Sequence, residues 1–179
     1  GGRLPKKPGA PLRSKVAAAV PAPEQNTTSP RSLILLEELL TLLFHNLSAM
    51  KHVTPILAPE ELPAGELTRL YTTMVSLYTH GDLTPEHLTE TWQQEVGSQS
   101  LLQQLTMRFE SDFRTFLPIE LDRALHTHAR ELKKSYLAQE LLRIERELKS
   151  AEIAGENETQ METLMSAFQR LAEELRTLR

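Results

Sequence analysis

The sequence contains no cysteine among its 179 residues. This absence excludes disulfide bonds, thiolate zinc sites, cysteine-ligated iron–sulfur clusters and cysteine nucleophiles within these residues. A chain without cysteine is typical of a reducing compartment, so we expect a cytoplasmic protein.

Aromatic residues and long apolar runs are also scarce. Aromatics make up 5% of the chain, and the aliphatic run Leu33 to Leu36 is followed at once by Glu37 and Glu38. Because a membrane-spanning helix needs about 20 consecutive apolar residues, we expect no membrane segment. Valine and isoleucine are few beside many leucines, glutamates and alanines. This balance favours helices over sheets, and the predicted fold class is all-α.

Proline and charge divide the chain near residue 30. Six of the 11 prolines lie in the first thirty residues. Five basic residues precede the first acid and give a charge of +5: Arg3, Lys6, Lys7, Arg13 and Lys15. Residues 31–179 carry 15 basic and 23 acidic residues, a net charge of −8. We therefore predict that residues 1–29 form a flexible, Pro-rich basic linker that contacts nucleic acid at most weakly.

Proline and glycine also mark the ends of the predicted helices. Ser29 and Thr84 each stand as an N-cap before a proline at the first helical position, and Gly81 and Gly97 stand as stops. Helices are predicted over residues 30–48, 65–80, 84–96, 98–113 and 119–153, with short helical turns between residues 55 and 63. The first helix is apolar on almost every face, which predicts a place at the centre of a bundle.

The C-terminal third carries two heptad patterns. Their apolar positions step by three and four residues: Leu137, Leu141, Ile144, Leu148 and Ala151, then Met161, Leu164, Phe168, Leu171, Leu175 and Leu178. Between them, Gly155 suits a helix end, and Asn157 with Gln160 suits a capping box. A short turn between two such helices predicts an antiparallel hairpin. The chain thus divides into the linker, a helical bundle over residues 30–117, and a long helix with a terminal hairpin over residues 118–179.

No residue pattern in the chain points to catalysis or to a bound cofactor. His126 and His128 stand two apart on a predicted helix and so point to different faces. No histidine lies three residues after a glutamate, and no glycine-rich phosphate loop is present. We expect no catalytic residue, no metal site and no cofactor in these 179 residues. Binding modules and structural coiled coils remain as function classes.

The last helix has an apolar stripe wider than one partner helix requires. Met165 and Ala172 lie beside the heptad line and widen it. The surplus is covered either by the globular part of the same chain or by another protein, and the residues leave both open. A helical oligomerisation or scaffold module, paired through residues 119–179, is the alternative to a docking module.

The order of these parts resembles the C-terminal helicase-binding domain of bacterial replicative DNA primase. The stretches that carry the resemblance are residues 38–46 (ELLTLLFHN), 70–81 (LYTTMVSLYTHG), 130–132 (REL), 145–152 (ERELKSAE) and 171–175 (LAEEL). Leu47 departs from the family, which usually places a proline there. The resemblance covers roughly residues 31–179.

The resemblance implies a protein-interaction domain of the primosome. Such a domain docks its hairpin on the N-terminal domains of the hexameric replicative DNA helicase and recruits RNA primer synthesis to the replication fork. The parent enzyme, a DNA-directed RNA polymerase, uses zinc and magnesium in other domains. By helix face, we expect partner contacts at Met165, Gln169, Ala172, Glu173 and Arg176. Leu164, Phe168, Leu171 and Leu175 are expected to hold the hairpin together.

Overall fold

A computed structural model of the chain describes residues 29–97, 99–154 and 158–178. Seven α-helices and no strand are present in these ranges, so the predicted all-α fold class is confirmed. The helices are α1 (Pro30–His45), α2 (Met50–Val53), α3 (Glu66–His80), α4 (Pro85–Val96), α5 (Ser100–Asp112), α6 (Pro118–Ala154) and α7 (Glu158–Thr177). The linker predicted over residues 1–29, apart from Ser29, and the turn predicted at Gly155 and Asn157 lie outside the described residues.

Helix α1 begins at the predicted proline. The carbonyl of Ser29 accepts hydrogen bonds from the N–H groups of Ser32 (2.9 Å) and Leu33 (3.3 Å). Pro30 has no N–H, and the first helical position leaves that group without an intrahelical partner in any case. The Ser29 side chain makes no capping hydrogen bond. The backbone and the proline therefore start this helix without the side-chain cap.

The end of α1 differs from the prediction. We predicted a helix to Ser48, and this is wrong, because Asn46 leaves the helical conformation (φ −139°, ψ 71°). The chain bends by 115° between α1 and the helical segment Leu47–Val53. Met50 and Val53 are fully buried after the bend. The free energy gained by burying this second apolar segment in the core outweighs the free energy lost by ending the regular helix.

The stops of α3 and α4 follow the glycines as predicted. Gly81 (φ 79°) and Gly97 (φ 71°) both take the left-handed conformation that side chains with a Cβ disfavour. Helix α4 begins directly after its N-cap Thr84, whose Oγ1 accepts a hydrogen bond from the N–H of His87 (3.2 Å). The side chain of Trp92 then anchors α4 in the core.

Helix α1 lies at the centre of the bundle and packs against α3, α5 and α6. Its buried side chains include five leucines: Leu36, Leu39, Leu40, Leu42 and Leu43. On α3, the buried Tyr71 donates its hydroxyl to the carbonyl of Leu57 (2.8 Å). Burial, with a smaller effect of Glu61, raises the pKa of Tyr71, so this hydroxyl stays a donor.

Helix α6 is 37 residues long and serves two parts of the molecule. Its first half places Leu125, Ala129 and Leu132 in the bundle core. Its second half buries Leu137 and Ile144 where α6 packs against α7. The division of the chain at residue 117 stays a prediction, but the core of the bundle continues into α6 as far as Leu132.

In the described part of the chain, no single helix has both the length and the apolar composition of a membrane span. One bent pair, Pro30–His45 with Leu47–Val53, meets both criteria together. Five of its leucines are buried in the core of the bundle.

Candidate protein-interaction surface

Helices α6 and α7 form an antiparallel pair. Residue 154 ends α6 and residue 158 begins α7. Lys133, twenty-one residues before the end of α6, reaches Glu174 near the end of α7 (2.9 Å between Nζ and Oε1). Two helices joined at one end and in contact at the other must run in opposite directions.

The two sides of the heptad seam are buried to different depths. On α6, Leu137, Ile144 and Ala151 are buried. No described residue of α7 is buried. Five apolar seam residues of α7 are half-buried, as is Leu178 directly after the helix: Met161, Leu164, Phe168, Leu171 and Leu175. Helix α7 is thus held by one neighbouring helix along its length and leaves most of its circumference open.

The five predicted contact residues lie along the open part of α7. Met165 is 50% exposed. Gln169, Glu173 and Arg176 are exposed, and Ala172 is half-buried at the border of the seam. We call this set of five residues the outer edge of the hairpin. The outer edge combines one large apolar side chain, Met165, and one small one, Ala172, with three polar or charged side chains.

The structure brings two residues of the outer edge into direct contact. The guanidinium of Arg176 donates two hydrogen bonds to the carboxylate of Glu173, from Nε (2.9 Å) and from Nη2 (2.7 Å). These hydrogen bonds lower the pKa of Glu173 and raise the pKa of Arg176, so both stay charged at neutral pH. A paired carboxylate and guanidinium present both a donor and an acceptor to an approaching protein.

The opposite side of α7 faces the bundle. At about 100° per residue, Glu174 lies about 160° around the helix from Ala172 and from Arg176, and about 180° from Met165. Glu174 contacts Lys133 of α6, and Lys133 also pairs with Glu61, in the 3-10 turn Pro59–Glu61 that precedes α3. The bundle therefore lies on the side of α7 away from the outer edge.

Lys133 with Glu61 and Glu174 forms what we call the Lys133 clasp. The Lys133 side chain is 12% exposed and Glu61 is 14% exposed, whereas Glu174 is 41% exposed. Burial alone lowers the pKa of Lys133, but hydrogen bonds to Glu174 and Glu61 outweigh it and raise that pKa. Glu61 also accepts a hydrogen bond from the N–H of Ala58 (3.1 Å), which fixes its carboxylate.

A second charged cluster joins three helices inside the bundle. Arg108 of α5 pairs with Glu37 (2.7 Å) and Glu38 (3.1 Å) of α1, and with Asp112 (3.4 Å) of its own helix. His128 of α6 places Nε2 3.5 Å from Glu38. Burial, together with the charge of Arg108, lowers the pKa of His128 despite the opposing effect of Glu38.

This cluster is structural in its geometry. Each acid already has a basic partner, and the described residues hold no group of three or more His, Asp or Glu side chains arranged for a metal ion. The Nδ1 of His128 is buried without a hydrogen-bond partner among the described atoms. The Arg108 cluster joins α1, α5 and α6, and His128 gives the bundle a side chain whose protonation responds to pH.

A cleft of about 510 Å³ lies between α6 and the segment before α3. Its walls include Glu60, Glu61, Leu132, Tyr136 and Glu140. Glu61 belongs to the Lys133 clasp, and Glu140 pairs with Arg143 (2.8 Å). Two of its three acids are therefore already paired with basic side chains.

Sequence reasoning missed Lys133, Glu61 and Glu174 as a unit. Lys133 and Glu61 are 72 residues apart. No local spacing links them, so no periodic signal was available to find them. The outer edge, in contrast, follows from the spacing within one helix.

Comparisons of this chain with protein-family models, with curated proteins and with solved structures found no significant match.

Proposed function

We propose that this chain is the protein-interaction domain of a DNA primase, which docks on the replicative DNA helicase and recruits primer synthesis to the fork. The proposal rests on the resemblance of residues 31–179 to that family. The observation that carries it is the geometry of the hairpin: four of the five outer-edge residues are exposed, whereas Glu174 on the opposite side of α7 belongs to the Lys133 clasp. The site of action is the cytoplasm, and the polymerase chemistry, with its zinc and magnesium, belongs to the parent enzyme.

The outer edge has the composition of a docking surface. Met165 offers a flexible apolar contact, and Ala172 allows close approach of another backbone. Gln169, Glu173 and Arg176 supply the polar rim that surrounds apolar contacts in transient interfaces. A partner built of helices meets this edge through side chains at helical spacing. The N-terminal helical domains of the hexameric helicase are such a partner.

Titration against the replicative helicase of the same organism tests the proposal. We expect Met165→Glu to weaken binding by about tenfold or more, because it places a charge at an apolar position of the contact. Met107→Glu is the matched control, since Met107 of α5 is 73% exposed and lies off the hairpin. Equal affinity of Met165→Glu and wild type would refute docking through the outer edge.

Point substitutions suit this test better than truncation. A chain that stops at Phe116 loses all of α6, and with it Leu125, Ala129 and Leu132 of the bundle core. Loss of binding by such a chain would report unfolding as readily as loss of the hairpin. Met165→Glu changes one side chain that is half exposed.

The alternative proposal is an oligomerisation or scaffold module. The observation that favours it is the half-buried seam of α7 together with Leu142 of α6, which is 53% exposed. A second copy that covers these residues would make a four-helix contact. Light scattering after size-exclusion chromatography decides this: a concentration-independent mass near 20.3 kDa excludes it.

A further inference from the structure

We infer that Lys133 is a positioning residue: it holds α7 against the bundle through Glu174 and Glu61, and so sets which edge of the hairpin a partner meets. The inference deepens the proposed function and rests on it for the identity of the partner. Its structural part concerns this chain alone.

The position of Lys133 along α6 supports the inference. The bundle core ends on α6 at Leu132, and the next buried residue, Leu137, lies in the seam with α7. Lys133 therefore stands where the helix leaves the bundle and enters the hairpin. A contact at this point therefore fixes the angle between the bundle and the hairpin.

The surroundings of Lys133 also favour a role in positioning. Its ammonium bridges two carboxylates that come from two other elements, the 3-10 turn Pro59–Glu61 and helix α7. Without the ammonium, Glu61 and Glu174 would face each other with no cation between them. Two like charges repel, so α7 would move away from the bundle.

Helix α7 has few other constraints on that side. None of its described residues is buried, and it packs along α6 through half-buried side chains. The seam holds α7 to α6, but a seam permits rolling of one helix around the other. The Lys133 clasp stops this roll and leaves Met165 and Arg176 on the outside.

The experiment measures the distance between the hairpin and the bundle in the full chain. Because the protein has no cysteine, Ser76→Cys on α3 and Ser166→Cys on α7 place two spin labels at unique, exposed sites. Double electron–electron resonance then gives the distribution of label distances. Four further substitutions are compared in this background: Lys133→Met, Lys133→Arg, Glu174→Gln and Glu173→Gln.

We expect Glu174→Gln and Lys133→Met to widen the distance distribution at least twofold. Lys133→Arg keeps the positive charge and should keep the narrow distribution. Glu173→Gln is the matched control, because Glu173 is the adjacent carboxylate of α7 and pairs with Arg176 instead. Circular dichroism should report the same helix content in all variants.

Two results would overturn the inference. One is an unchanged distribution in both Glu174→Gln and Lys133→Met. The other is equal widening in Glu173→Gln, which would show that the clasp has no special role. Glu174 is 41% exposed, so Glu174→Gln keeps the test valid even where Lys133→Met unfolds the chain.

Helicase titration separates this inference from the proposed function. If the proposed function and the role of Lys133 are both correct, the Glu174→Gln protein should bind the helicase about threefold more weakly than wild type. The Lys133→Arg protein should bind as wild type. The reason is that apparent affinity falls with the fraction of molecules in the binding-competent conformation. Wild-type protein that does not bind the helicase refutes the proposed function, whereas the distance distributions still decide the role of Lys133. A widened distribution with unchanged helicase affinity overturns the link between clasp and partner.

Discussion

Helices α1 and α7 both carry apolar side chains at helical spacing, yet they have different surroundings. Helix α1 has 16 residues and buries five leucines, whereas α7 has 20 residues and none of the described ones is buried. The difference lies in their neighbours, since α1 packs against three long helices and α7 packs along α6. The apolar side of a helix is therefore buried or left half-buried according to how many neighbours surround it.

The largest effect is expected in the bundle. Leu40 is fully buried, so Leu40→Ala should lower the free energy of unfolding by about 2–5 kcal/mol. Chemical denaturation followed by circular dichroism measures this. Ile34→Ala is the control on the same helix, since Ile34 is 51% exposed, and it should change stability by less than about 0.5 kcal/mol. Equal losses would contradict a buried α1.

A smaller effect is expected in the hairpin. Phe168 is half-buried, so Phe168→Ala should cost about 1–2 kcal/mol, less than truncation of a fully buried phenylalanine. Hydrogen exchange should speed up in α7 while α1 stays protected, and helicase binding should weaken because the hairpin opens. Ser166→Ala, on the exposed face of α7, is the control. Loss of protection throughout the bundle would show that the two regions unfold together.

The bundle should also respond to pH through His128. Its pKa in the folded protein is lowered from 6.5, first by burial and then by Arg108, with Glu38 opposing. The folded state then binds fewer protons than the unfolded state below about pH 6.5. Stability is full above that pH and falls as the pH drops through the lowered pKa.

Denaturation curves between pH 7.5 and pH 5 test this response in the cluster that joins His128 to Glu38, and Arg108 to Glu37, Glu38 and Asp112. His128→Gln should flatten the dependence in this window. A dependence of the same slope in His128→Gln would assign it to other groups.

The smallest effect on stability is expected at the outer edge. Arg176 contacts Glu173 of its own helix, and its side chain is 74% exposed. Arg176→Glu should leave the denaturation midpoint unchanged, because exposed pairs contribute little. It should weaken helicase binding about five- to tenfold through loss of a charged contact and a reversed sign. A lowered midpoint would mean that the outer edge is part of the fold.

Local chemistry of the chain predicted most of the helices. Pro30 and Pro85 start helices and Gly81 and Gly97 stop them, because each acts through its own backbone and needs no distant partner. The spacing of apolar residues placed the seams of α6 and α7 and the open edge that carries Met165. These features depend on residues within a few turns of one another.

The tertiary structure alone decided the rest. Asn46 breaks α1 because Met50 and Val53 find room in a core that distant helices build. Lys133 reaches Glu61 across 72 residues, and Arg108 reaches Glu38 across 70. A heptad pattern states which face of a helix is apolar, but it does not state which neighbour covers that face. The assembled bundle decides which neighbour covers each apolar face. It also brings charges that are far apart in the chain within hydrogen-bond distance, which no local pattern can predict.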